Sequence, residues 1–243
     1  MKTCYRFWRS TVVFLLINIY VSAQVTTNPQ LDKCIKSKKV LYTVTGAAAG
    51  AASGLLASVF GVGGKSKKST AENIIIGAVA GGAIGYATAY YKAAANCLKE
   101  HPEWIPESEI TRSESYTEAV KELSYNPNQG LLVKVSKVDM DSTVKPGDSL
   151  EISSTFIVLT PNGEESNITI IRKLYAIADG KEEEIPFLGR ESEERTVEAG
   201  KHTDTVHLPI PAEVKPGTTY KFEFGLKCDN AQPSSNSATV SVS

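Results

Sequence analysis

Cysteine, histidine and clustered carboxylate are the residue types here that could do chemistry. Cys4 lies in a basic N-terminal start, and Cys34, Cys97 and Cys228 follow. Three is an odd number, so one thiol stays free or pairs with another chain. His101, His202 and His207 come with no HxxH or CxxC spacing. On one strand His202 and His207 differ in parity and point to opposite faces. They are expected to be solvated and to bind no metal. The acidic runs "EEE" (182–184) and "ESEE" (191–194) sit near turn signals. General acid–base work would need burial to shift a carboxyl, so a solvated edge is expected, with weak calcium binding as the alternative. "GGKS" (63–66) suggests a phosphate loop. That motif needs a glycine five residues before Gly64, and Val59 stands there. These observations imply a non-enzymatic protein with no cofactor.

A different pattern is stronger. "GAAAGAASG" puts Gly46, Gly50 and Gly54 four residues apart, and "GAVAGGAIG" does the same with Gly77, Gly81 and Gly85. A glycine inside a helix costs about 1 kcal/mol against alanine. Residues four apart share a helix face, so each triplet makes a flat strip that a partner backbone can approach closely. One helix is expected from about Lys36 to Val62 and a second over 70–100, joined by the break "GVGGKSKKST" (61–70). The glycines pair across this break by residue numbers that sum to 131, as do Cys34 and Cys97. In an antiparallel hairpin, equal distance from the turn means equal height. Cys34 and Cys97 are therefore expected to meet in a disulfide at the open end. Equal height does not fix facing, and two free thiols are the alternative. The hairpin tip would carry Lys65, Lys67 and Lys68.

The stretch "TGAAAGAASGLLASVFGVGGKSKKSTAENIIIGAVAGGAIGYATAYY" resembles the glycine-zipper domain of bacterial outer-membrane and envelope proteins. The resemblance covers residues ~40–91. It implies an envelope location, close helix packing or membrane association, and no enzyme activity. Members often carry a lipid-attachment cysteine, which this chain lacks after its expected cleavage site. Two runs are free of charge, 40–62 and 73–91, each near the ~20 residues that a membrane span needs. Both a membrane-associated hairpin and a soluble one packed on itself or in an oligomer fit these runs.

After Asn126 the apolar period becomes two. "LLVKVSKVDM", "SLEISSTFIVL", "NITIIRKLYAIA", "RTVEAG", "HTDTVHLPI", "TYKFEFGLKC" and "SATVSV" are expected strands, separated by turn signals such as "KPGD", "PNGEES" and "KPGTT". About seven short strands suggest an antiparallel β-sandwich. Tyr220, Phe222, Phe224, Leu226 and Cys228 alternate onto one face and are expected to line its core. "VKPGTTYKFEF" is similar to the start of the penultimate strand in fibronectin type III and Ig-like modules, which implies Tyr220 at the sandwich corner.

The expected fold class is thus α+β in separate segments: an antiparallel glycine-zipper helical hairpin, then an antiparallel Ig-like β-sandwich. The expected divisions are a signal peptide (1–23), the hairpin (24–99), an acidic, proline-containing linker with a short helix (100–126) and the sandwich (127–243). The signal reading rests on Lys2, Arg6 and Arg9, the apolar "TVVFLLINIYV", and "VSA" before Gln24. It places the protein in the periplasm or cell envelope, with the outer membrane one candidate. Charge divides the chain: residues 33–99 are near +8 and residues 100–243 near −11. The basic part could sit on anionic lipid or on the acidic part. No aromatics interleave with its lysines, which argues against nucleic acid. The expected function is an exported envelope protein that associates with a membrane or with itself and presents a sandwich to an unidentified protein partner. A pore-former built from associated hairpins is the alternative.

Overall fold

The computed structural model describes residues 28–38, 83–228 and 231–243. Within them are ten strands in two sheets and three α-helices. Sheet A has the order β1 (Glu109–Glu114), β8 (Gly200–Pro209), β4 (Ser149–Leu159), β2 (Leu132–Met140). Sheet B has the order β3 (Thr143–Val144), β10 (Ser234–Val242), β9 (Thr219–Lys227), β5 (Ser166–Ala178), β6 (Lys181–Ile185). The thirteen-residue β5 is long enough for two partners on one edge. Its second half pairs with β6 and its first half with β7 (Ser192–Val197).

Alternation of side chains builds the core between the sheets. Tyr220, Phe222, Phe224 and Leu226 of β9 face inward and are buried, opposite Phe156 and Val158 of β4. The Phe156 and Phe224 rings stack at 5.7 Å. Two "KPG" turns close strand ends as their chemistry requires. Gly147 and Gly217 both sit at φ +88°, and Asp148 and Thr218 each donate to the lysine carbonyl three residues earlier at 3.2 Å. Proline before a positive-φ glycine is the type II turn pattern.

Several expectations need correction. The described structure is predominantly β, and its helices are not a separate segment. Helix α1 spans residues 29–38 and α2 spans Ala83–Glu100. Ile35, Ala87, Tyr91, Ala94, Cys97 and Leu98 are buried in the same core as the strands, because this face of α2 has nowhere else to put its apolar surface. Helix α1 also starts earlier than expected. Pro29 opens it, and the Asn28 side chain accepts from the backbone N–H groups of Gln30 and Leu31, a sound N-cap arrangement. The antiparallel mirror register does not hold either. It would set Lys38 beside Ala93 and Asp32 beside Lys99. Instead Lys38 pairs with Glu100, and Asp32 acts on Tyr90. From Cys34–Cys97 to Lys38–Glu100 the contacts advance in the same sense along both helices.

The sandwich is not purely antiparallel, since β3 pairs with β10 in parallel. The segment expected as a linker contributes β1, which pairs with β8 and forms an edge of sheet A. It also holds α3 (Tyr116–Leu123), with a capping box between Ser115 and Glu118. Helix α3 covers Ile157 and Leu159, which point out of sheet A. Lys201 ties these pieces together through ion pairs to Glu114 and Glu122, and the two hydrogen bonds hold its ammonium above the usual lysine range.

Candidate functional site

The disulfide joins Cys34 of α1 to Cys97 of α2, with Cα atoms 6.1 Å apart. The inward face of α1 follows helical spacing: Leu31, Cys34, Ile35 and Lys38 turn toward the protein, while Lys33 and Lys36 face out. On α2 the buried residues Ala87, Tyr91, Ala94 and Leu98 recur at intervals of three and four. Tyr91 is fully buried and donates to the Pro209 carbonyl at 2.9 Å. Its ring meets Tyr220 edge-on at 5.9 Å. The helix pair thus closes the end of the sandwich where β4 begins and β8 finishes. The sequence separation of the cysteines is 63. A loop of that length corresponds to about 4 kcal/mol of stabilisation in the chain-entropy account. The geometry ties both ends of the intervening segment, residues 39–82, to the folded body, one beside Glu100 at the end of α2 and the other at the start of α2, roughly 25 Å apart at 1.5 Å per residue.

A second centre lies between the sheets. Arg172 on β5 is 1% exposed and spends all its N–H groups on protein acceptors. Its Nε and Nη2 hold both oxygens of Asp204 on β8 at 2.9 Å, a bidentate pair. Nη1 reaches Glu193 and the Arg190 carbonyl, and Nη2 also donates to Ser108. Arg195 holds the other oxygen of Glu193 at 2.7 Å. The node pins sheet B to sheet A and to the chain at Ser108. The node leaves no N–H group of Arg172 free for a ligand. Beside it, His202 is buried against Phe156, and its Nε2–H donates to the Glu198 carbonyl at 2.8 Å. Desolvation lowers its pKa below the usual histidine value, opposed by that hydrogen bond.

Other residues singled out in the sequence fall as follows. Tyr220, Phe222, Phe224 and Leu226 lie together in the core. Cys228 packs against this core only in part. Strand β9 ends at Lys227, so parity no longer sets the direction of the next residue. Cys228 is half-buried at the rim, donating its thiol to the Asn167 carbonyl at 2.9 Å. Glu193 is buried rather than solvated, because β7 begins at Ser192 and alternation turns Glu193 inward to Arg172. His202 is buried and His207 exposed, on opposite faces of β8. Gly85 is half-buried on α2. Gly46, Gly50, Gly54, Gly77 and Gly81, and Lys65, Lys67 and Lys68, lie outside the described residues, as does the expected signal peptide. Among the described residues no group of three or more His, Cys, Asp or Glu side chains could hold a metal. No helix among them is long and apolar enough to cross a membrane. The charge-free run 73–91 cannot serve as a span in full, because residues 83–91 belong to α2 and run into the sandwich core.

The described residues therefore form a two-sheet β-sandwich with a disulfide-clamped helix pair over one end. No protein-family model matches the sequence, and no curated protein matches it. Some solved structures are similar in part. Cycloisomaltooligosaccharide glucanotransferase from Paenibacillus sp. is 16% identical over 46% of this chain and 14% of that chain, with a TM-score of 0.34. The sporulation control protein Spo0M from Bacillus subtilis is 12% identical over 46% of this chain and 49% of that one, at 0.29. The CARDB domain of the PF1109 protein from Pyrococcus furiosus is 15% identical over 46% of this chain and 91% of that one, at 0.27. This chain thus spans less than half of the first two proteins. Similarity at this level carries no argument about activity.

Proposed function

We propose that this is an exported, non-enzymatic protein that attaches to a membrane through the segment between its paired cysteines and holds out the β-sandwich as an interaction domain. The observation that carries the proposal is the clamp. Cys34–Cys97 and the buried faces of α1 and α2 fix both ends of residues 39–82 to the sandwich. That segment contains the 40–62 run, which has no charge, and most of the glycine repeats. An apolar segment anchored at both ends carries the body with it wherever it binds. A disulfide suits an oxidising compartment, in keeping with the signal-like start of the chain.

The test is fractionation of cells expressing the full chain, followed by an alkaline carbonate wash of the membranes. Retention in the membrane pellet is the expected result. Release into the wash would refute attachment through an inserted segment. Dye release from vesicles by the purified mature chain would move the assignment to the pore-forming alternative.

A further inference from the structure

Asn167, Ile168 and Thr169 form an asparagine, a residue other than proline and a threonine, the only such triplet in the sequence. That order is the acceptor motif for an asparagine-linked glycan. Such a glycan is bulky and hydrated, so its asparagine must stand at the surface. The triplet lies at the start of β5. In a strand the side chains at i and i+2 share a face. Ile168 is buried in the core, so Asn167 and Thr169 stand on the outward face of sheet B, the first exposed and the second half-buried. The Thr196 hydroxyl on β7 donates to Asn167 Oδ1 at 2.6 Å, and no described residue accepts from Nδ2. The groove that Asn167 and Thr169 line holds about 800 Å³ and is flanked by the exposed Glu194, Thr196 and Lys227. The first sugars therefore have room over a polar surface.

We infer that Asn167 carries an asparagine-linked oligosaccharide. The inference rests on the export proposed above and narrows it to a route whose lumen holds the transferase. The transfer joins Asn167 Nδ2 to the anomeric carbon of an oligosaccharide carried on a lipid diphosphate. The bond from that carbon to the diphosphate oxygen breaks, the lipid diphosphate leaves, and one amide proton passes to the transferase. Nothing is oxidised or reduced. The position also suits a body held by its helix pair. Ala176 of β5 pairs with Tyr220, whose ring meets Tyr91 of α2. Asn167 lies nine residues back along β5 from Ala176, about 30 Å at 3.4 Å per residue. The glycan thus stands at the end of the sandwich remote from the clamped helices.

The experiment expresses the full chain, with its own N-terminal start, in cultured animal cells. The wild type is expected to run as a slower band that peptide N-glycosidase collapses, leaving aspartate at position 167 by peptide mass spectrometry. Asn167→Gln and Thr169→Ala should each lose the slower band, and Thr169→Ser should keep it. Non-reduced peptides spanning Cys34 and Cys97 report separately whether the chain has reached an oxidising lumen. A bridged chain without the glycan, or a slower band that persists in Asn167→Gln, would overturn the site and leave export standing. A chain that is neither bridged nor glycosylated, and that stays in the cytosol, would overturn both.

Discussion

Replacing Arg172 with methionine tests whether the ionic node holds the two sheets together. The side chain is 1% exposed, and its main partner Asp204 is 0% exposed. Methionine roughly fills the aliphatic stem and removes every donor at once. Asp204 then loses both of its 2.9 Å hydrogen bonds, whereas Glu193 keeps Arg195 at 2.7 Å. Breaking a buried pair from one side costs about 3–5 kcal/mol, because an uncompensated charge is left behind. The whole stability of a domain is about 5–15 kcal/mol. With a urea slope of about 2 kcal/mol per molar, the midpoint falls by about 2 M. Urea unfolding followed by tryptophan fluorescence measures this, since Trp104 packs against the core. The Arg172→Met/Asp204→Leu double variant should recover much of the loss, as apolar replacement of both partners is often neutral or better. A single variant that loses under about 1 kcal/mol would refute the assignment, since that is the size expected of an exposed pair.

Two further outcomes follow from the same region. Gly200 sits at φ +150°, and an added Cβ would come within 2.6 Å of the Glu114 carbonyl and 3.0 Å of Arg112 Nε. Gly200→Ala should therefore loosen β1 from β8 and lower stability by about 1–3 kcal/mol, with amide exchange of β1 rising first. His202 has a lowered pKa in the fold, so its neutral form is favoured there. The stability it contributes is complete above the ordinary value of 6.5 and is lost as pH falls through its folded value. Melting curves between neutral pH and pH 5 should decline less steeply for His202→Gln than for the wild type. Parallel curves would show that His202 does not set that slope.

The strands of the sandwich were legible because a period of two and proline–glycine turns are local signals. β2, β4 and β9 fall within the expected runs, while β5, β8 and β10 coincide with theirs but begin one to three residues earlier. The strands that were missed had no such signal. β1 reads "EITRSE", with one apolar residue, and β6 reads "KEEEI". Each is held by pairing with a neighbour, β8 and β5 respectively, rather than by its own burial. The buried node was invisible for a similar reason. Arg172, Glu193 and Asp204 look like ordinary surface charges in one dimension. Only the facing of β5, β7 and β8 brings them together.

The pairing of Cys34 with Cys97 was reachable from the sequence, but by a symmetry that the structure does not keep. The two cysteines meet, while the residues on either side follow a different register. Sequence alone determined where apolar and polar residues alternate, where turns must fall, which cysteines could be bridged and where charge accumulates, since each depends on near neighbours or on residue identity. Tertiary structure decided that the helices are part of the sandwich core, that charge-free residues 83–91 are committed to it, and that an arginine is its inter-sheet pin. Those outcomes depend on which distant surfaces meet, and burial is a property of that meeting rather than of the residues one by one.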